Sequence, residues 1–350
     1  MTPEFPYRLW CPVPPRIHPR NTELINEARS WLDRFPLVEE EKRDWLARFS
    51  AEFITFTIPD GLDEREAFLC RYSAWGFSLD DRADRNLTLA QREFVDFALR
   101  LVHTSQAPDS RLLCDDQHAL CLADLIRDMR TWAAPPQMRR FHEGLRSWMF
   151  GTAWEVGARQ LPLPDVDAYL SLHYPAVAAQ MEACVEVGLG PEVPASEIYH
   201  PLARAVQEAA FTTALIDNDL LSSLRHGDDV GHSLNIVNVL RNEQPSTPQE
   251  QAITQSVGLR DRIFKLALDL NQTAQRKFSQ DTRNFLDGII AAVPGNIAWS
   301  LNSVRYKIKD ICPDLTHEQF LKAATQTGGP SDATTGPPPY RSIAWWWDQS

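Results

Sequence analysis

The sequence predicts an all-α protein built as a single helical bundle. Apolar residues recur at intervals of three and four along most of the 350 residues, which is the spacing of one face of a helix. Few segments alternate between apolar and polar residues as strands do, and no internal linker rich in Gly, Ser and Pro divides the chain. With 43% hydrophobic residues, the chain can also bury a sizeable core.

The first 20 residues lack this periodicity. They contain six prolines, and because proline fixes φ and has no N–H, we expect residues 1–20 to form an extended strap over the folded body. The helical domain is expected to cover residues 21–326. Helical patterns span roughly residues 21–35, 39–57, 62–84, 88–105, 116–133, 137–159, 165–188, 196–225, 247–277, 279–292 and 294–309, with a weaker one after Thr316.

Residues 327–350 have a different composition from the helical domain. They are rich in Gly, Pro, Ser and Thr and have no clear periodicity, so we expect a flexible C-terminal tail. Trp345, Trp346 and Trp347 are unusual in such a tail. They either fold back over an apolar surface or form an exposed terminus, and the sequence favours the second.

The charge of the chain limits its partners. The formal net charge is −12 and there is no dense run of Lys or Arg, so we do not expect a nucleic-acid partner. An acidic protein that acts on a phosphate-bearing ligand would bind it largely through divalent cations. Nor does any window contain about 18 consecutive apolar residues, which predicts a cytoplasmic protein without stable membrane insertion. The six cysteines show no CxxC spacing and are expected to be reduced core residues.

An acidic cluster ends one of the predicted helices. Asp80 and Asp84 lie one turn apart on one face, with Asp81 beside them, and the helix before them is aromatic. Like charges at the C-terminal end of a helix destabilise it, so a cation is expected to compensate. Carboxylates are hard ligands suited to Mg²⁺. Alone, such a cluster would more often be a solvated helix end.

A second row of polar residues lies near residue 220. Asn218, Ser222 and His226 follow at intervals of four, which places them on one helix face as a tridentate row, and Arg225 is close enough to pair with a phosphate. Asn and Ser lower helix propensity, which makes a functional reason plausible.

A third element lies near the C-terminus. Arg305 and Tyr306 follow an apolar helix that carries Trp299, and an Arg with a Tyr can hold diphosphate oxygens.

Together the three elements resemble the class I terpene synthases, specifically the single-domain cyclases of bacteria and fungi. Residues 80–84 match the DDxxD motif of this family, and residues 218–226 match its NDxxSxx(K/R)E motif except at the last position. Residues 305–306 match its closing RY pair, and an early RIHP string occupies residues 16–19. The resemblance extends from about residue 14 to 309.

This resemblance implies an α-helical bundle with a central active-site cavity, a prenyl diphosphate substrate and three bound Mg²⁺ ions, for which Mn²⁺ can substitute. It implies metal ligands at Asp80, Asp81, Asp84, Asn218, Ser222 and His226. Arg225, Arg305 and Tyr306 would hold diphosphate oxygens and act in catalysis.

The resemblance also calls for an apolar pocket that folds the carbocation and excludes water. Aromatic faces favour cations, and our candidates for the lining are Phe53, Trp75, Phe77 and Trp299. Ordinary core packing is the alternative for each of them.

Two positions depart from the family pattern. His226 stands where the second motif has a glutamate, and imidazole is a poorer Mg²⁺ ligand than a carboxylate. Asp219, Asp228 or Asp229 could compensate. His173 occupies the place of a diphosphate-sensing arginine, and Pro175 could replace the usual helix break there.

We expect farnesyl diphosphate to be cyclised to a sesquiterpene hydrocarbon or alcohol, with geranylgeranyl diphosphate and a diterpene product as the alternative. A degenerate isoprenoid-binding homologue and a chain-elongating prenyltransferase are the other candidates. Prenyltransferases normally carry two aspartate-rich motifs, and this chain lacks the second one. A homodimer is compatible with all of them.

Overall fold

A computed structural model describes residues 5–85, 91–110, 112–158, 161–223, 234–303 and 316–350, with the side chains of residues 84, 85, 91, 177 and 223 left out. The described chain is almost wholly helical. Its helices are α1 (Asn21–Arg34), α2 (Glu40–Thr57), α3 (Asp63–Arg85), α4 (Gln91–Gln106), α5 (Gln117–Met129), α6 (Pro135–Ala158), α7 (Val166–Val177), α8 (Ala179–Leu189), α9 (Ala195–Ile198), α10 (Pro201–Ser223), α11 (Ile236–Glu243), α12 (Gln249–Ala274), α13 (Gln280–Asn302), α14 (His317–Ala324) and α15 (Arg341–Ala344).

These helices group into two compact units. The α3 unit contains residues 17–161 and 175–192, and the α10 unit contains residues 1–16, 162–174 and 193–350. The N-terminal strap therefore divides near residue 16. Each unit is described by itself below.

Helix α3 forms the centre of its unit and packs against α1, α2, α5, α6 and α8. Apolar side chains from several of these helices are completely buried, among them Phe68, Trp75 and Phe141. Burial of such large aromatic side chains provides most of the stabilisation of a helical core.

Helix α10 has the same place in the other unit, where it packs against α11, α12 and α13. A short strand β1 (Leu9–Trp10) of the N-terminal strap pairs in parallel with strand β2 (Thr325–Gln326). The Cys11 backbone N–H continues this pairing by donating to the Gln326 carbonyl at 2.9 Å. The strap is thus fastened by backbone hydrogen bonds, which a proline-rich composition alone does not predict.

The C-terminal residues also pack on the α10 unit, although their composition predicts a flexible tail. Trp346 is 2% exposed, and its indole N–H donates to Glu208 on α10 at 3.0 Å. The Ser342 backbone N–H donates to Asp167 at the start of α7 at 2.7 Å. The tryptophan segment, a 3₁₀ turn over Trp345–Gln349, therefore folds back on the helices, which is the alternative that the sequence disfavoured.

Several predicted helix boundaries are wrong. The sequence predicts a break between residues 292 and 294, but α13 continues through Pro294, which is buried. The pattern over residues 165–188 splits into α7 and α8, since α7 includes Pro175 and ends at Val177. Gly151 of α6 allows close approach at this break, because a Cβ atom there would lie 2.3 Å from the Ala176 nitrogen.

No helix in the described part of the chain is both long and apolar enough to cross a membrane. The cysteines of this part are unpaired thiols. Cys11, Cys70, Cys121 and Cys184 are buried as predicted, whereas Cys114 is exposed.

Candidate functional site

One face of the C-terminal half of α3 is fixed to His118 at the start of α5. The Trp75 indole N–H donates to the His118 carbonyl at 2.9 Å, and the Ser78 hydroxyl lies 3.2 Å from its Nε2. One turn later, Arg82 Nη1 lies 3.1 Å from His118 Nδ1. Three turns of α3 therefore contact a single histidine, which fixes the rotation of the helix about its axis.

One predicted metal ligand of α3, Asp80, lies on the opposite face. At 100° per residue, the face that carries Phe77 and Asp80 is centred roughly 160° from the face that contacts His118, and Asp81 lies about 90° from that face. Asp80 and Asp81 are partly exposed. The contacts of His118 thus set the rotation of α3 that places Asp80 on this face.

Arg82 also moderates the charge of this helix end. Its Nη1 lies 2.8 Å from Asp116, and its guanidinium lies over the Phe97 ring at 4.4 Å from the centroid. Asp116 in turn caps α5 by accepting from the Ala119 N–H at 3.1 Å. A cation in the last turn opposes both the helix dipole and the repulsion among the aspartates, so this helix end can keep its acidic residues.

The structure brings two of the four predicted lining residues together. The half-buried Phe77 ring lies 4.6 Å from the Phe49 ring and 5.3 Å from the Phe53 ring. Trp75 is completely buried on the other side of α3 and stacks on Tyr72 at 5.2 Å. Phe53 and Phe77 therefore form one aromatic cluster beside Asp80, and Trp75 has the surroundings of a core residue.

In the α10 unit, Asn218 and Ser222 lie one turn apart on α10 and are partly exposed. The Ser222 hydroxyl donates to the backbone carbonyl of Asp219 at 3.1 Å. Because this bond uses the hydroxyl hydrogen, the oxygen lone pairs stay suited to a cation. The structure thus places two oxygen donors one turn apart on this face of α10.

Asp219, one of the residues that could compensate for His226, has another role. It is 5% exposed, and its Oδ2 accepts hydrogen bonds from the Tyr169 hydroxyl and from the Ile236 backbone N–H, the latter at 2.8 Å. This carboxylate holds α7 and the start of α11 against α10. The structure therefore argues against Asp219 as a metal ligand.

Asp217, which precedes Asn218, is also held by hydrogen bonds within the core. Its carboxylate receives two hydrogen bonds from Arg260, at 2.6 Å from Nε and 3.1 Å from Nη2, and both side chains are completely buried. Burial acts to lower the pKa of Arg260, but the charge and hydrogen bonds of Asp217 outweigh it and raise that pKa. The guanidinium is therefore charged wherever the protein is folded, and it also donates to the Trp10 carbonyl of the strap.

Two further predicted residues lie in the α10 unit. His173 on α7 is 8% exposed, and its ring stacks on Tyr169 at 4.9 Å. Trp299 on α13 is 2% exposed. The structure thus buries both among helices of this unit.

The remaining predicted site residues lie outside the described residues. They are the side chain of Asp84 together with Arg225, His226, Arg305 and Tyr306, and Asp228 and Asp229 lie there as well.

The donors that the structure does describe fit a divalent cation. Carboxylate, amide and hydroxyl oxygens are the hard ligands that Mg²⁺ accepts, and the side chains of Asp80, Asp81, Asn218 and Ser222 offer these oxygens. Within the described ranges, no three His, Cys, Asp or Glu side chains form a complete metal site. A diphosphate that itself binds Mg²⁺ would supply further oxygens.

A basic surface cleft of about 630 Å³ lies in the α3 unit, between the end of α4 and the first turns of α6. Arg130, His142 and Arg146 line it, and burial together with these two arginines lowers the pKa of His142. None of the predicted site residues is part of its lining.

Sequence reasoning missed the residues that orient the two motifs. His118, Tyr169 and Arg260 carry no motif, and each makes its contact across a gap of 40 or more residues in the chain. The only signal in the sequence was the position of Asp217 and Asp219 on either side of Asn218.

Comparison with known proteins agrees with this description. The family described as "Terpene synthase family 2, C-terminal metal binding" matches residues 71–265, more than half of the chain. This range includes both the acidic end of α3 and the Asn218 face of α10.

Bacterial terpene synthases match over nearly the whole chain. Spiroviolene synthase from Streptomyces violens is 28% identical, covering 98% of this chain and 96% of its own length. Diterpene cyclase DtcycB from Streptomyces sp. is 25% identical, covering 97% and 96%. A (+)-T-muurolol synthase from Streptomyces clavuligerus, described as cyclising (2E,6E)-farnesyl diphosphate, is 24% identical and covers 97% and 81%.

A solved structure shows the same architecture. The SVS_A2 protein from ancestral sequence reconstruction superposes with a TM-score of 0.84 and 29% identity, over 99% of both chains.

Proposed function

The chain belongs to the terpene synthases of family 2, lyases that act on diphosphates and use divalent metal, and on this premise we propose that it ionises a prenyl diphosphate and cyclises the carbocation. One observation carries the proposal. His118 contacts α3, and Tyr169 and Arg260 contact α10, on other faces than the one that carries the proposed ligands. Asp80 and Asn218 are partly exposed.

Each side chain has a proposed role. Asp80, Asp81 and Asp84 hold divalent cations at the end of α3, and Asn218, Ser222 and His226 hold a further one at the end of α10. Arg225, Arg305 and Tyr306 donate to diphosphate oxygens. The family pattern, with its three Mg²⁺ ions, supports these roles, and so do the oxygen donors of the described residues.

Bound divalent cations would neutralise the charge that develops on the departing diphosphate. The allylic C–O bond can then break without a protein nucleophile, so the remaining task of the chain is to shape and shield the cation. Phe53 and Phe77 present aromatic rings beside Asp80, and aromatic faces stabilise a carbocation by about 0.5–2 kcal/mol each. Trp75 is proposed to support this lining from its buried position on α3, and Trp299 of α13 is a proposed substrate-binding residue.

We propose that His173 contributes to diphosphate sensing from α7 in place of the usual arginine. Its stacking on Tyr169 and its position two residues before Pro175 support a role at the α7 break.

Geranylgeranyl diphosphate is the proposed substrate. A relative named as a diterpene cyclase aligns with this chain over 96% of its own length, whereas two relatives named as cyclising farnesyl diphosphate align over 81% and 90% of theirs. Farnesyl diphosphate, favoured by the sequence analysis, is the second candidate because the first of these two also matches 97% of this chain.

The test compares geranyl, farnesyl and geranylgeranyl diphosphates with purified protein and Mg²⁺, and identifies the products by gas chromatography and mass spectrometry. The proposal expects a cyclic C20 hydrocarbon or alcohol and the highest kcat/KM for the C20 substrate. A C15 product with higher kcat/KM supports the farnesyl alternative. If no substrate is turned over but His226→Glu gains activity, the chain is a degenerate homologue.

A further inference from the structure

Helix α10 presents Asn218 between two buried carboxylates. Asp217 and Asp219 are each 100° from Asn218 around the helix, and they are 0% and 5% exposed. Asn218 itself is partly exposed. Two buried anchors on either side of one exposed amide fix the direction in which that amide points.

The two anchors are built from different elements. Asp217 is held by the buried Arg260 of α12, which also donates to Asp261 and to the Trp10 carbonyl. Asp219 is held by the Tyr169 hydroxyl of α7 and the Ile236 N–H of α11. Of the contacts that hold Asp217 and Asp219, the bond from the Tyr169 hydroxyl is the one that a conservative substitution can delete cleanly. Substitution of Asp217 would instead leave the Arg260 guanidinium buried without this carboxylate partner.

We propose that Tyr169 is a positioning residue for Asn218 and Ser222, holding α10 through Asp219 at the rotation that a divalent cation requires. The inference rests on the proposed function of these two residues as ligands. It concerns Tyr169 alone, which carries no motif and which is completely buried.

A small rotation is enough to matter. Side-chain oxygens on a helix lie about 6 Å from its axis, so a rotation of about 10° moves them by about 1 Å. Mg²⁺ demands near-ideal octahedral geometry at about 2.0–2.1 Å, so a displacement of about 1 Å weakens its binding. Loss of the Tyr169 bond from one of the two anchors should therefore weaken metal binding before it unfolds the helix.

The test is Tyr169→Phe, which removes only the hydroxyl. Binding of Mg²⁺ in the presence of inorganic pyrophosphate is measured by titration calorimetry, and turnover of geranylgeranyl or farnesyl diphosphate is measured against Mg²⁺ concentration. We expect the half-saturating Mg²⁺ concentration to rise about tenfold in both measurements, while kcat at saturating Mg²⁺ stays within about threefold of the unsubstituted protein.

Trp346→Phe is the matched control. It deletes one hydrogen bond to a carboxylate on the same helix, that of Glu208, which is 11 positions before Asp219. A merely structural role for Tyr169 predicts that both variants lower the melting temperature and leave the Mg²⁺ requirement unchanged. The proposal predicts that only Tyr169→Phe changes the Mg²⁺ requirement.

If Tyr169→Phe does not fold, Asp219→Asn weakens the same bond without deleting it and should give a smaller shift in the same direction. An unchanged Mg²⁺ requirement in a folded variant, or an equal shift in the Trp346→Phe control, overturns the positioning role. If the unsubstituted protein binds no Mg²⁺ with pyrophosphate, the proposed function fails as well, so the two failures are distinguishable.

Discussion

Glu66 in the first turns of α3 carries a carboxyl group that is completely buried. Neither of its oxygens has a hydrogen-bond partner within the described part of the chain. Burial raises its pKa well above the ordinary value of a glutamate, and the negative charge of Asp63 raises it further. The folded protein therefore holds Glu66 in its neutral form at a pH where the unfolded chain would ionise it.

The sign of the pH dependence follows from this difference. Above the ordinary glutamate pKa of about 4.3, the folded state binds a proton at Glu66 that the unfolded state releases. The free energy of unfolding therefore falls as pH rises, by up to about 1.4 kcal/mol per pH unit from this group, until the pH passes the raised pKa. We expect Glu66→Gln to remove this slope.

Urea unfolding of both proteins between pH 5 and pH 8 measures the effect. Only the difference between the two slopes counts, because other groups titrate equally in both proteins. Equal slopes would mean that Glu66 is ionised in the folded protein.

Asp80 provides a second test at the same scale. Asp80→Asn removes a proposed metal ligand and also relieves repulsion at the end of α3, so we expect kcat/KM to fall by at least about a hundredfold with no loss of melting temperature. The exposed Asp96 of α4 offers the same chemical change as a control. Asp96→Asn should keep full activity, and equal losses in both variants would remove Asp80 from the site.

The chemistry-bearing residues at this scale were predictable, and their supports were not. The carboxylates near residue 80 and the polar row from Asn218 to Ser222 repeat at helical spacing, so the sequence displays them directly. His118 and Tyr169 act through contacts between helices distant in the chain. No local pattern encodes such contacts, because they depend on how the helices pack.

At the scale of elements, the C-terminal segment is the main difference from expectation. Its composition is that of a mobile tail, but Trp346 buries its ring and bonds to α10, and Ser342 bonds to the start of α7. A large buried aromatic side chain outweighs the entropy of ordering a short segment. The composition of a segment indicates the conformational entropy that is lost when it becomes ordered. It does not indicate the helix surface on which a side chain such as Trp346 can be buried.

Trp346→Ala tests whether this segment stabilises the protein. Deleting a buried tryptophan costs about 3–5 kcal/mol, so we expect a clear fall in the free energy of unfolding. The neighbouring Trp345 is only half-buried. We expect Trp345→Ala to lower the free energy of unfolding by at least about 2 kcal/mol less than Trp346→Ala does. Chemical denaturation of the two variants checks this, and equal losses would contradict the docked arrangement.

The helices themselves were largely predictable from apolar spacing, whereas their interruptions were not. Pro294 lies inside α13, where the buried surroundings of the helix tolerate the lost hydrogen bond. Conversely, the break between α7 and α8 falls three residues after Pro175, where Gly151 of α6 lets the backbone approach. Tertiary packing decides in each case whether a proline ends a helix.

At the scale of the whole molecule, composition and periodicity predict the α-helical class, and the order of the motifs predicts the family. The described chain clusters into two compact units, and the acidic end of α3 and the Asn218 face of α10 lie in different ones. The chain has a net charge of −12 and acts on an anionic diphosphate. It therefore needs bound cations to offset the repulsion between its own negative charge and that of the substrate. Metal dependence is therefore the central claim of this account.

The most direct measurement follows pyrophosphate release and product formation from geranylgeranyl and farnesyl diphosphates in Mg²⁺, after addition of EDTA, and after Mg²⁺ is restored in excess. We predict release together with a cyclic product in Mg²⁺, none in EDTA, and recovery on restoration. Cyclic product that persists in EDTA, or no release from either substrate at saturating Mg²⁺, would contradict the account.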